Sequence, residues 1–100
     1  MTISKSNLTF GEAIEALKKG EIVAREGWNG KNMYLILIKG EYLREQIAEQ
    51  CDDPSIKPLE ILDSIAMRTA QGQIVIGWLA SQTDMLSEDW VILDWTVKEN

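Results

Sequence analysis

The sequence has no histidine, and Cys51 is its one cysteine. Without histidine the chain lacks the commonest general base and the commonest zinc ligand of proteins. A serine or cysteine nucleophile would therefore lack its usual activating partner. A lone cysteine cannot form an intramolecular disulfide, which favours a reducing compartment. These absences predict a protein that is not an enzyme and that needs neither a metal nor a cofactor.

Long apolar runs are missing as well. The longest, residues 33–38, is far too short to span a bilayer, and residues 1–7 lack the apolar core of a signal peptide. The net charge of −6 and the pI of about 4.5 disfavour binding to nucleic acids and to anionic membranes. We therefore expect neither a nucleic-acid partner nor a membrane partner.

The length suits one domain, residues 1–100, and the 45% share of apolar residues predicts a packed core. Thr9 and Glu12 have the spacing of a capping box, and the apolar residues that follow recur at helical spacing until Gly20. This pattern predicts an N-terminal helix. Residues 1–8, which precede it, are predicted to be a short polar lead-in.

The remainder of the chain has mostly strand patterns. Five segments fit strands: 21–25, 33–38, 64–70, 73–79 and 90–95. Short helical pieces are predicted over 41–50 and 81–86, and 51–59 is predicted to be an exposed loop. The economical arrangement is an α+β fold, with an antiparallel sheet of about five strands and the N-terminal helix packed on it.

A first motif, residues 25–31, places a tryptophan and an amide on a glycine-containing turn between two cations. Trp28 can stack on a nucleobase, and Arg25 and Lys31 can meet a phosphate. Tryptophan in a small domain is more often part of the core. An anchoring role for Trp28 in a hairpin is therefore an equally open interpretation.

A second motif, residues 78–90, begins and ends with tryptophan. Ser81 and Asp84 have capping-box spacing, which predicts a helical turn whose first N–H groups form a small anion site. Gln82 and Thr83 add amide and hydroxyl groups. The alternative is a capped turn in which Ser81 and Asp84 serve only the backbone.

Taken in order, these segments resemble a phage protein family. The helix Thr-Phe-Gly-Glu-Ala-Ile-Glu-Ala-Leu leads into Val-Ala-Arg-Glu-Gly-Trp-Asn-Gly-Lys, and Trp-Leu-Ala-Ser-Gln-Thr-Asp-Met-Leu-Ser-Glu-Asp-Trp follows much later. Together they are similar to the Thoeris anti-defence family of the second type over nearly all of residues 8–95. The match is weakest over 41–62, which we interpret as an insertion.

This resemblance implies a sponge-like domain. Such proteins bind and sequester the cyclic ADP-ribose isomer made by the TIR-domain enzyme of the Thoeris system, without cleaving it, in the host bacterial cytoplasm. It also implies a homo-oligomer, a tetramer with ligand pockets between subunits, and in some members a separate site for cyclic dinucleotides. The candidate ligand contacts in the two motifs are Arg25, Trp28, Asn29, Trp78, Ser81, Gln82, Thr83 and Asp84.

Two other function classes remain open from the residues. The net charge suits an acidic DNA mimic that inhibits a host nucleic-acid-binding protein, although the acids are scattered rather than placed in phosphate-like rows. A nucleotide hydrolase is weaker, because Glu88, Asp89 and Asp94 lack a recognisable metal-ligand spacing and acidic loops are usually only solvated.

Overall fold

The computed structural model describes residues 1–56 and 58–95. Those residues form six strands, three α-helices and two 3-10 turns. The strands are β1 (Thr2–Leu8), β2 (Ile22–Arg25), β3 (Tyr34–Ile38), β4 (Ser64–Arg68), β5 (Ile74–Ile76) and β6 (Trp90–Asp94). The helices are α1 (Phe10–Lys18), α2 (Arg44–Cys51) and α3 (Gln82–Leu86), and the 3-10 turns are Gly40–Leu43 and Pro54–Ile56. None of the helices described is long and apolar enough to cross a membrane.

The six strands form one sheet in the order β1-β6-β2-β3-β4-β5, with every neighbouring pair antiparallel. Strand β3 is apolar on both faces and lies inside the sheet between β2 and β4, with Leu35 fully buried and its other side chains partly exposed. The predicted α+β fold with an antiparallel sheet is confirmed.

Helix α1 begins and ends where the local sequence predicts. The Thr9 hydroxyl accepts from the Glu12 N–H at 3.2 Å, and the Glu12 carboxylate accepts from the Thr9 N–H at 2.8 Å. The helix ends before Gly20, whose φ of +88° is the left-handed conformation that glycine adopts without a steric penalty.

Helix α1 covers one face of the sheet. The core there consists of Ala13, Ala16 and Leu17 from the helix and Val23, Leu35, Trp90 and Ile92 from the strands. Side chains alternate between the two faces of a strand, so Ala24, Tyr34 and Val91 lie on the opposite face. The sheet therefore has one face under α1 and another on which a ligand cleft can form.

Three segments differ from the sequence-based expectation. Residues 1–8, predicted as a lead-in, form edge strand β1, so the sheet has six strands among the described residues rather than about five. The sequence showed no alternation of buried and exposed residues here, because β1 is mostly exposed and joins β6 through backbone pairing with an irregular register.

The predicted loop over 51–59 contains a 3-10 turn, and its residue 57 lies outside the described residues. Strand β5 ends at Ile76, because the N–H groups of the next two residues both donate to the Ile65 carbonyl.

Candidate functional site

A buried carboxylate, Asp84, lies at the start of α3. The capping box predicted there is present: the Ser81 hydroxyl accepts from the Asp84 N–H, and Asp84 Oδ2 accepts from the Ser81 N–H, both at 3.0 Å. The side chain of Asp84 is only 11% exposed. Its second oxygen, Oδ1, is therefore held inside the protein and needs partners of its own.

Asp84 links α3 to three other parts of the chain. Its Oδ1 accepts from Arg25 Nη1 at 2.8 Å and from Trp28 Nε1 at 3.1 Å. Its backbone carbonyl accepts from Trp90 Nε1 at 2.9 Å. These contacts join the end of β2, the loop after it and the start of β6 to a single residue.

Arg25 also pairs with Asp89. Arg25 Nε donates to Asp89 Oδ1 at 2.9 Å, and Asp89 Oδ2 accepts from the Gly27 N–H at 2.8 Å. A Cβ at Gly27 would lie 2.6 Å from that same oxygen, so only glycine allows the close approach. Asp89, interpreted from sequence as a solvated acid, is therefore part of an ion network with Arg25 and Asp84.

The network shifts the ionisation of its members. Hydrogen bonds from Arg25 hold the pKa of Asp89 below its ordinary value. Burial raises the pKa of Asp84, but hydrogen bonds from the Ser81 N–H, the Arg25 guanidinium and the Trp28 indole outweigh it and lower the pKa overall. Hydrogen bonding to Asp89 raises the pKa of Arg25 despite its burial. All three groups are therefore charged at neutral pH.

Three tryptophans pack edge-to-face next to this network. Trp28 lies 5.5 Å from Trp90 and 6.4 Å from Trp78, measured between ring centroids, and Trp78 lies 6.4 Å from Trp90. Trp90 is fully buried, whereas Trp28 and Trp78 are half-buried against the core. Trp28 is thus an anchor of its loop, with its indole N–H and one ring surface committed to the interior.

Trp28 also lines a cleft of about 510 Å³ at the sheet face opposite α1. Trp28, Tyr34 and Trp95 contribute aromatic surface to it, and Arg68 contributes positive charge. Glu26 also lines the cleft, and so does Arg25, whose guanidinium is paired with Asp84 and Asp89. Its floor includes Ala24, Val91 and Leu93. A volume of this size suits a small-molecule ligand, and aromatic faces beside guanidinium groups suit a base and a phosphate.

The structure brings most of the sequence-predicted residues together. Arg25, Trp28, Ser81 and Asp84 belong to the network, and Trp78 joins them through its contacts with Trp28. The other three predicted residues, Asn29, Gln82 and Thr83, are exposed at the surface.

Sequence reasoning missed Tyr34, Arg68 and Trp95 as lining residues of the cleft. Tyr34 and Arg68 are direct cross-strand partners on β3 and β4, and the Trp95 ring centroid lies 6.3 Å from that of Tyr34. The available signal was the alternation of Val91, Leu93 and Trp95, which places these residues on one side of the last strand.

Replacing Asp84 with alanine should strongly destabilise the protein. The change leaves the Arg25 charge buried with only Asp89 as a partner, and breaking a buried ion pair costs about 3–5 kcal/mol. Because Asp89 remains as a partner, we expect the free energy of unfolding measured in urea to fall by an amount near the lower end of that range. Glu15→Ala is the matched control, because it removes an exposed ion pair with Lys18 and should leave the unfolding midpoint almost unchanged. Equal midpoints for the two variants would contradict the role of the network.

The lowered pKa values predict acid sensitivity of a definite sign. A carboxylate whose pKa is lower in the folded state stabilises the fold fully above its unfolded pKa, about 3.9, and loses that contribution as the pH falls through the folded value. The free energy of unfolding should therefore fall on acidification below about pH 4. Asp84→Asn should show a smaller fall than the wild type, whereas Glu15→Gln should follow the wild type. An identical acid dependence in Asp84→Asn and the wild type would exclude Asp84 as a source.

Both tryptophan motifs that form this site lie within the part of the chain that matches known proteins. The model of the Thoeris anti-defense 2-like domain matches residues 8–93, a range that includes both tryptophan motifs. The protein Thoeris anti-defense 2 of Bacillus phage SP01 is 40% identical over 93 residues, which cover 89% of this chain and 98% of that protein. This chain therefore belongs to the Thoeris anti-defense 2-like family.

Proposed function

We propose that this protein is a phage anti-defence protein that binds and sequesters a cyclic ADP-ribose isomer, the signal of the Thoeris system, without cleaving it. It acts in the host bacterial cytoplasm as a homo-oligomer, with a tetramer as the expected form. Family membership supports the anti-defence role. The absence of histidine from the sequence supports a binding function rather than hydrolysis, because the commonest general base is missing.

The observation that carries this proposal is the cleft that combines Trp28 with Arg68. A cyclic ADP-ribose isomer has an adenine and a pyrophosphate, which require a stacking surface and positive charge. Trp28 offers the first, and Arg68 offers the second, while Arg25 is mostly engaged with Asp84 and Asp89. The positive charge of Arg68 can attract a phosphate locally despite the net charge of −6, since the field of distant surface charges is screened over about 8 Å at physiological salt.

The contacts of Trp28 suit a binding protein with no catalytic step. Its indole N–H is held by Asp84 and its ring by Trp78 and Trp90. The ring is therefore ordered before the ligand arrives, and little conformational entropy is lost on stacking. A preorganised surface favours tight sequestration.

The exposed candidates belong to the same proposal. Asn29, Gln82 and Thr83 carry amide and hydroxyl groups at the surface, where a ligand enclosed between two copies of the chain would reach them. A cyclic dinucleotide is a second ligand to test, because it has the same combination of bases and phosphates.

An acidic DNA mimic is the other candidate, and the net charge favours it. A mimic must display its carboxylates to a basic partner. Asp84 and Asp89 are instead paired with Arg25 inside the protein, which reduces the acidic surface available for mimicry.

Truncation of Trp28 should weaken ligand binding. Loss of a stacked base contact costs roughly 1–3 kcal/mol, or about tenfold to more than a hundredfold in affinity. Trp28→Ala should also lower the melting temperature, because the ring packs on the core. Affinity is therefore measured by calorimetry with cyclic ADP-ribose isomers well below the melting temperature, and Trp28→Phe, which keeps an aromatic face, should bind more tightly than Trp28→Ala. Tyr42→Ala, at a residue that is 71% exposed, is the control. Wild-type affinity in folded Trp28→Ala would place the ligand elsewhere.

Release of the captured ligand tests sequestration itself. The protein is incubated with a cyclic ADP-ribose isomer, freed of unbound ligand and heated, and the released compound is identified by mass spectrometry. We expect intact ligand in an amount stoichiometric with the binding sites. A cleaved product would indicate a hydrolase, and the absence of any released nucleotide would favour the DNA mimic.

A further inference from the structure

We propose that the free edge of β5 is the surface at which a second copy of this chain docks, by antiparallel pairing of the two β5 strands about Val75. This inference deepens the homo-oligomer part of the proposed function. Among the described residues, β5 pairs with β4 and lies at the end of the sheet. Its residues Ile74, Val75 and Ile76 are 51%, 50% and 54% exposed.

An exposed apolar edge strand is unusual in a protein that stays monomeric. Natural sheets protect their edges with charges, proline or irregular strands, because an unpaired edge is a template for another chain. The other edge, β1, has such protection: it carries Lys5 and its register with β6 is broken twice. Strand β5 is short, at three residues, but it carries no charge and no proline, and its three apolar side chains are about half exposed. These features favour an edge that is covered in solution.

The absence of charge favours another copy of this chain as the occupant. Copies with a net charge of −6 repel each other, and this repulsion is weakest where they meet through uncharged residues. The segment 69–83 contains no charged residue in a chain with 26% charged residues. It includes β5 and also Leu79, which is 90% exposed. The longest uncharged stretch of the sequence thus contains this edge strand.

The sequence of β5 is also self-complementary. Ile-Val-Ile reads the same in both directions, so an antiparallel pair centred on Val75 places Ile74 of each copy opposite Ile76 of the other. The two Val75 side chains then face each other across a twofold axis, the geometry of an isologous interface. Directly opposed side chains in such a pair have Cβ atoms about 5 Å apart.

The open form of the chain agrees with association. Its radius of gyration is 15.6 Å, whereas a compact domain of this length has about 13 Å. The sheet is broad relative to the single helix that covers one of its faces, and pairing of two β5 edges would extend this sheet across the twofold axis.

A charge placed on the axis tests the interface. In Val75→Lys the two ammonium groups would lie directly opposite each other, and like charges in that position are destabilising. We expect the molar mass measured by light scattering to fall twofold relative to the wild type, with an unchanged circular dichroism spectrum. Ile3→Lys is the matched control on the other edge, because Ile3 is 49% exposed, and it should keep the wild-type mass. Halving by Ile3→Lys but not by Val75→Lys would overturn the proposal.

A charge-swap experiment addresses the self-contact of residue 75. Val75→Glu alone should also halve the mass, whereas an equimolar mixture of Val75→Lys and Val75→Glu should regain the wild-type mass, because opposite charges then meet on the axis. A mixture that stays at half mass, or a wild type with the mass of one chain, 11.3 kDa, would overturn the interface. Ligand release from the wild type is a separate readout: its failure in a protein with the expected β5 contact would overturn only the sequestering function.

Discussion

The buried ion pair between Arg25 and Asp84 is the contact on which the site depends. Both side chains are nearly inaccessible to water, so each needs the other to offset the cost of desolvation. The same carboxylate also holds the Trp28 indole N–H, and the same guanidinium also holds Asp89. Two motifs that are far apart in the sequence are thereby fixed to each other, and with them the loop that carries Trp28.

This arrangement resolves the two interpretations of Trp28. A tryptophan can be either an anchor in the core or a stacking surface for a ligand, and here one side of the residue packs with Trp78 and Trp90 while it also lines the cleft. The core contacts restrict the ring to one orientation, which reduces the entropy that a bound base would otherwise cost. A structural role and a binding role are therefore compatible in this residue.

The acidic character of the chain has two different consequences. Asp84 and Asp89 are neutralised by Arg25 and contribute to stability rather than to the surface field. The uncharged segment 69–83 contains β5, where the proposed contact between copies would meet the least repulsion from the remaining acids. The distribution of charge thus bears on both the proposed ligand binding and the proposed association.

The sequence by itself determined the features that depend on neighbouring residues: the capping boxes at Thr9 and Ser81, the left-handed Gly20 and the alternation of the strands, since the atoms that form them are only a few positions apart. Tertiary structure decided the strand role of residues 1–8, the pairing of Arg25 with Asp84, 59 positions away, and the addition of Tyr34 and Arg68 to the cleft. These contacts follow from the order of strands in the sheet, which local propensity does not encode, because pairing between distant strands is set by the packing of the whole core.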